Sequence, residues 1–257
     1  FWVQGTLGIN NIGYKVEEHS WEAEGQTWTN IVAELRGEER PEEIVVIGAH
    51  YDSASGTPGA NDNATGVAAL LSLASSFVDE PQDRTIRFVA FVNEEPPFFQ
   101  TENMGSLRYA RKLEGKAEKV TGMIALESLG YYSDEPGSQK YPKQIADQYP
   151  DTGNFLGFVS NPQSQELLNL AYGTFTAYSP LPAEKAAFPP MIPGIGWSDH
   201  WSFWEVGYPA IMVTDTAIYR DPHYHKPTDT KEHIDFPRFA VAVDGLEHVV
   251  RALARAE

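Results

Sequence analysis

The chain has 257 residues, 42% of them hydrophobic, enough for one sizeable core and near the upper limit for one domain, so a single domain over residues 1–257 is expected. It contains no cysteine, which excludes disulfides and thiolate metal sites and leaves His, Asp and Glu to hold any transition metal. A formal net charge of −17 argues against a nucleic-acid partner, whose phosphates call for a basic surface, and tolerates cationic ligands.

No stretch approaches the roughly 20 apolar residues of a membrane span, and no basic-then-apolar leader opens the chain, so no membrane partner is expected. The first residue is Phe1 rather than Met. Removal of a leader, with a secreted or periplasmic location, fits that start, and so does a boundary imposed on the chain. Location and oligomeric state stay open.

Short extended stretches at 14–18 and 29–36 precede "EEIVVIGAHYD", where residues 44–48 form a continuous apolar run suited to a fully buried strand. The period then changes: from Val67, the apolar Leu70, Leu71, Ala74, Phe77 and Val78 recur at three and four, one face of a helix opened by polar Asn63 and Thr65. Strand-like 85–93, helix-like 105–113 and strand-like 122–130 and 154–160 follow. A helix from Ser164, a strand at 209–215 and a closing helix carrying Phe239, Val243, Leu246, Val250 and Leu253 complete the chain. Such alternation predicts a three-layer α/β sandwich, a mixed and mostly parallel β-sheet flanked by helices. The irregular stretches 131–153 and 179–197, the second rich in proline, are long for connections inside a domain and are expected to wall a pocket.

Open α/β sheets bind ligands beyond the carboxyl ends of their strands. His50 ends one strand, Glu94 and Glu95 end the next, Glu127 lies near the end of another, and Asp199, His200 and His225 flank the strand 209–215. Asp62 sits in the loop returning from His50 to its helix. His50, Asp62, Glu95, Glu127 and His225 make a cysteine-free set suited to Zn²⁺, with other divalent metals possible, and a carboxylate such as Asp62 has two oxygens with which to bridge two ions.

The motifs "HYDS" (50–53), "GANDNATGVAALL" (59–71), "FVNEE" (91–95), "GS..YA" (105–110), "SDHWSFWEVGYPA" (198–210) and "HYHKPTDT" (223–230) closely resemble the co-catalytic di-zinc aminopeptidases. That zinc exopeptidase family also holds glutamate carboxypeptidase, the glutaminyl cyclases and the enzymatically inert transferrin receptor. The resemblance covers about residues 29–255. It implies two Zn²⁺ ions: His50 and Glu127 on the first, Asp62 bridging, Glu95 and His225 on the second. It makes Glu94 the general base and Asp52 the hydrogen-bond partner that sets the His50 tautomer. Asp199 joins the groups behind the ligands, and the bond between Asp62 and Asn63 is cis. Tyr219 is the candidate for polarising the scissile carbonyl, with Tyr224 as the other tyrosine of "AIYRDPHY".

Two departures stand out. Glu127, in "IALESLG", occupies a position where most aminopeptidases of the family have Asp, and "NEEPPFFQTENMGS" carries an insertion whose Phe98 and Phe99 are expected at the substrate pocket. The resemblance implies an aminopeptidase acting on a peptide or small amide, and the aromatic loops (Phe98, Phe99, Phe188, Trp197, Trp201) suggest an apolar or aromatic first residue. Three other readings share the scaffold. A glutaminyl cyclase generally holds one zinc. A carboxypeptidase or amidohydrolase would need a cation such as Arg108, Arg111 or Arg220 facing a substrate carboxylate, and a non-catalytic binding domain would have no reason to keep the ligand set.

Overall fold

The structure is a computed structural model and describes residues 2–255. After a short helix α1 (Trp2–Leu7), strands β1 (Val16–Ala23) and β2 (Gln26–Leu35) form a hairpin. Strand β3 (Arg40–His50) is buried continuously from Glu43 to His50, as its apolar run requires of a central parallel strand. The chain continues through α2 (Gly66–Phe77), β4 (Arg84–Phe91), α3 (Gly105–Gly115) and β5 (Lys119–Glu127). Then come β6 (Leu156–Ser160), α4 (Gln165–Tyr178), β7 (Ala183–Ala187), α5 (His200–Glu205), β8 (Ala210–Thr214), α6 (Ala217–Arg220) and α7 (Phe236–Ala254).

The eight strands form one mixed sheet in the order β1-β2-β4-β3-β5-β8-β6-β7. Its centre, β4-β3-β5-β8, is parallel throughout, while β1, β2 and the β6/β8 pair run antiparallel. Alternation along β3 sends Val45, Ile47 and Ala49 to one face, against α2 and α7, and Ile44 and Val46 to the other, against α3 and α5. These two apolar clusters make the three layers expected from the sequence. No described helix is long and apolar enough to cross a membrane.

The structure adds α1, α5, α6 and β7 to the elements read from sequence. Strand β7 lies within the Pro-rich stretch 179–197 and pairs in parallel with β6 at the sheet's edge. Because β3, β4, β5 and β8 are parallel, their carboxyl ends share one rim. That rim carries His50 and Glu127 as terminal strand residues, with Glu94 and Glu95 three and four residues past Phe91.

Candidate active site

The turn between β3 and α2 is held from four sides. Asn63 Oδ1 accepts the N–H groups of Gly66 at 3.1 Å and Ser128 at 3.0 Å, and Asn63 Nδ2 donates to Leu126 O at 2.9 Å, so one side chain caps α2 and ties it to the end of β5. Gly66 is required there: a Cβ would lie 2.3 Å from Asn63 Oδ1 and 2.4 Å from Leu126 O. Asp229 accepts Asn61 N–H at 2.8 Å and Asp62 N–H at 3.2 Å. Asn61 Nδ2 donates to Asp215 Oδ2 at 2.9 Å and Asp221 Oδ2 at 3.0 Å. The bond between Asp62 and Asn63 is cis.

This scaffold brings the carboxylate of Asp62 between two imidazoles. His50 Nδ1 lies 3.1 Å from the Asp52 carbonyl, an acceptor only, so Nδ1 carries a proton and Nε2 is the nitrogen turned toward the carboxylates. Nε2 lies 3.3 Å from Asp62 Oδ1 and 3.2 Å from Glu127 Oε2. The other oxygen, Asp62 Oδ2, is 3.0 Å from His225 Nε2, which lies 3.2 Å from Glu95 Oε1. Two triads result, His50–Asp62–Glu127 and Asp62–Glu95–His225, each with ligand atoms within 4.8 Å of one another and each able to hold a metal ion. They share Asp62, one oxygen to each imidazole.

Glu94 belongs to neither triad, although its Oε2 lies 3.9 Å from His50 Nε2. Asp52 acts on the cluster twice. Its carbonyl orients His50, whereas its carboxylate, 3.6 Å from Nδ1 and beyond hydrogen-bond range, accepts the N–H groups of Glu94 at 3.2 Å and Glu95 at 3.1 Å. The tautomer is thus set by the backbone of Asp52, and the side chain aims the two glutamates. Glu127 is aimed by Ser198 Oγ, which donates to Oε2 at 2.8 Å, and by Ser128 Oγ, which donates to Oε1 at 2.9 Å. Asp199 is fully buried close behind, near Ser106.

The electrostatics show what these groups lack. Burial pushes Glu94 well up, with Glu127, Asp199 and Glu95 adding to the shift, and burial pushes Glu95 up as well. Burial disfavours a charged His50, but Glu127 and Glu94 outweigh it and hold the imidazole well above its usual range. Hydrogen bonds to Asp62 and Glu95 push His225 up to about 10. Burial works against ionisation of Asp62, yet His225 and His50 hold it down at about 2. The cluster gathers protons because it is an excess of negative charge in a poorly solvated place, and a divalent cation is the charge that such donors lack.

A cavity of about 100 Å³, open to solvent on one side, runs from Glu127 and Tyr224 along β8, β6 and β7. Tyr219 lines it, but its hydroxyl donates to Pro193 O at 3.0 Å. Tyr224 stacks on His225 with ring centroids 3.9 Å apart, and burial together with the charges of Asp62, Glu127, Glu94 and Glu95 raises its phenol, so it is the tyrosine that faces the cluster. Of the aromatic loop residues, Trp197 lines the cavity, while Phe98 packs on Trp28. Arg220 is a buried strut bound to Gln139 and Phe155 O, and Arg108 is tied to Asn103. The supporting groups Asn61, Asp215, Asp229 and Ser198 were not singled out from the sequence, although Asp215 ends a strand and the other three lie inside the motifs that carry the resemblance.

Fold and cluster define an α/β protein whose parallel-strand rim carries a double carboxylate–imidazole site. The sequence matches Peptidase family M28 over residues 30–250, and the chain belongs to that family. It is 40% identical over 243 residues to the uncharacterized protein YfbL of Escherichia coli (strain K12), an alignment covering 91% of this chain and 74% of that one. It is 30% identical over 210 residues to aminopeptidase YwaD of Bacillus subtilis (strain 168), covering 79% of this chain and 39% of the relative. The aminopeptidase from Aneurinibacillus sp. strain AM-1 superposes with a TM-score of 0.66 at 28% identity, covering 90% of this chain and 49% of that one. The chain therefore spans about three quarters of YfbL and half or less of these two aminopeptidases.

Proposed function

We propose that the chain is a metal-dependent aminopeptidase that removes N-terminal residues from peptides, with two Zn²⁺ ions, one in each triad. The observation that carries this reading is the sharing of Asp62 between two oxygen- and nitrogen-only ligand sets, which fits a pair of borderline cations and leaves Glu94 beside them as an unliganded carboxylate. The aminopeptidase relatives support it. Bound zinc supplies Lewis acidity, polarising a carbonyl and lowering the pKa of water toward neutrality. Glu94 takes the proton of the attacking water on its carboxylate and later yields it to the leaving amine. Asp52 holds Glu94 in place through its backbone N–H. The Tyr224 hydroxyl donates to the developing oxyanion; Tyr219, whose proton is engaged by Pro193, shapes the cavity wall.

The cavity supports an aminopeptidase over a carboxypeptidase. Among the described residues its lining includes one cationic residue, Lys185, whose side chain turns away to α4 with its Nζ on Asn169 at 2.7 Å, which leaves no lining cation for a substrate carboxylate. The test is zinc-loaded protein with aminoacyl anilides, their N-acetylated counterparts and a peptide beginning with glutamine. Release from the free-amine anilides alone is expected. Equal release from the acetylated compounds would overturn the exopeptidase reading, and cyclisation of glutamine without any release would replace it with a cyclase.

A further inference from the structure

The cavity beside the triads is largely apolar, and its far wall carries a carboxylate, Glu184. Alternation along β7 settles which side chains face it. Lys185 faces α4, where its Nζ donates to Asn169 and lies 5.0 Å from the ring centroid of Tyr172. Glu184 and Ala186 therefore point to the opposite side, and both line the cavity. Across the ladder Glu184 pairs with Gly157, so β6 places no side chain beside the carboxylate, and Ala186 adds only a methyl group.

Glu184 is partly buried, burial pushes its carboxyl up, and it has no hydrogen-bond or ion-pair partner among the described residues. Tyr141 and Tyr149 stack with ring centroids 5.6 Å apart; burial raises both phenols, and the Glu184 charge adds to the rise on each, opposed at Tyr141 by Arg220. A partly desolvated carboxylate without a partner among the described residues is unfavourable in the wall of a pocket built for leucine, but it is the complement of a cation brought in by a ligand. The tyrosine rings add a favourable surface for that cation.

The distances suit a long side chain. From β5, which ends at Glu127, to β7 there are three strand spacings, roughly 14 Å at about 4.8 Å each. Glu127 pairs with Thr214, Thr214 with Gly157 and Gly157 with Glu184, so the two glutamates stand at opposite ends of one row across those strands. With bonds of about 1.5 Å, a lysine or arginine side chain extends about 6–7 Å from Cα to its charged nitrogen, whereas leucine stops at about 4 Å. A residue whose carbonyl lies at the triads can therefore bring its charge to Glu184 only if its stem is long.

We propose that Glu184 is the specificity residue of this cavity and that, on the aminopeptidase reading on which this rests, the enzyme prefers peptides beginning with lysine or arginine to those beginning with leucine. This reverses the preference for an apolar first residue suggested by the aromatic loops, because Phe98 packs elsewhere and a carboxylate stands in the far wall. The experiment compares kcat/KM for lysyl, arginyl and leucyl anilides in the native zinc-loaded protein and in Glu184→Gln. The native protein should favour the cationic substrates by about tenfold or more, and the variant should lose that advantage while keeping leucyl turnover within about twofold, which also shows that it is folded. A native preference for leucine, or an equal loss on all three substrates, would overturn the proposal. If no anilide is cleaved, the aminopeptidase reading fails and the subsite is read by calorimetry with argininamide and leucinamide. Tighter binding of argininamide that Glu184→Gln abolishes upholds the subsite, and equal binding of the two amides overturns it.

Discussion

Asp229 belongs to neither triad, yet both of its oxygens are spent on the backbone that carries Asp62, and it is 2% exposed. Asp229→Ala would leave the N–H groups of Asn61 and Asp62 buried without acceptors. Each such loss costs about 1–3 kcal/mol, so together they should remove roughly 2–4 kcal/mol after allowance for a water entering the space. For a chain of this size each kcal/mol is worth about 2–4 °C, and Tm of the metal-free protein should fall by roughly 5–15 °C. With its backbone untethered, Asp62 should also hold metal less well, by about 10–100-fold, the range found when groups supporting metal ligands are removed. Calorimetric melting of the metal-free protein and zinc titration against a competing chelator read the two effects separately. Asp229→Asn keeps one acceptor oxygen and should show about half the stability loss. A Tm within about 2 °C of native, with zinc affinity unchanged, would refute the claim that this carboxylate builds the cradle.

Three further outcomes are expected. Glu94→Gln should keep both metals and lose about 10²–10⁴-fold in kcat, since the amide cannot accept the water's proton; loss of metal along with activity would make Glu94 a ligand instead. Glu127→Ala leaves Asp62, Glu95 and His225 intact and should release one of the two ions on dialysis, so unchanged metal content would remove Glu127 from the site. His200 donates from Nε2 to Ile195 O at 2.7 Å, and burial lowers its pKa from 6.5 to about 4. Its folded value lies below the unfolded one, so the stability tied to the neutral ring is complete above pH 6.5 and is lost as the pH falls through 4. Urea unfolding at pH 7 and about 4.5 should show the native protein losing roughly 2–3 kcal/mol more than His200→Gln, and parallel losses would refute this.

What could be read from sequence depends on what holds each part in place. The buried strand β3 and the amphipathic α2 are legible because their burial is written in periods of apolar residues. Strand β7 is not: Ala183–Ala187 holds no β-branched or aromatic residue and becomes a strand by docking on β6. Helices α5 and α6 span six and four residues, too few to show a period. In the site, His50, Glu95 and Glu127 declare themselves by standing at strand ends. Asn63 shows locally as the polar residue opening α2, but its tie to β5 does not, and neither do Asp229 and Ser198, because these contacts span 63 to 168 positions of the chain, which no local spacing reveals. Glu184 is hidden for the same reason, since its significance lies in Gly157 opposite and in the absence of a partner.

If one aspartate joins two metal sites, an anomalous difference map from a crystal of the zinc-loaded protein will show it. Two peaks flanking Asp62 are predicted, one also bound by His50 and Glu127 and the other by Glu95 and His225. A single peak, or ions that leave Asp62 unbound, would contradict the account.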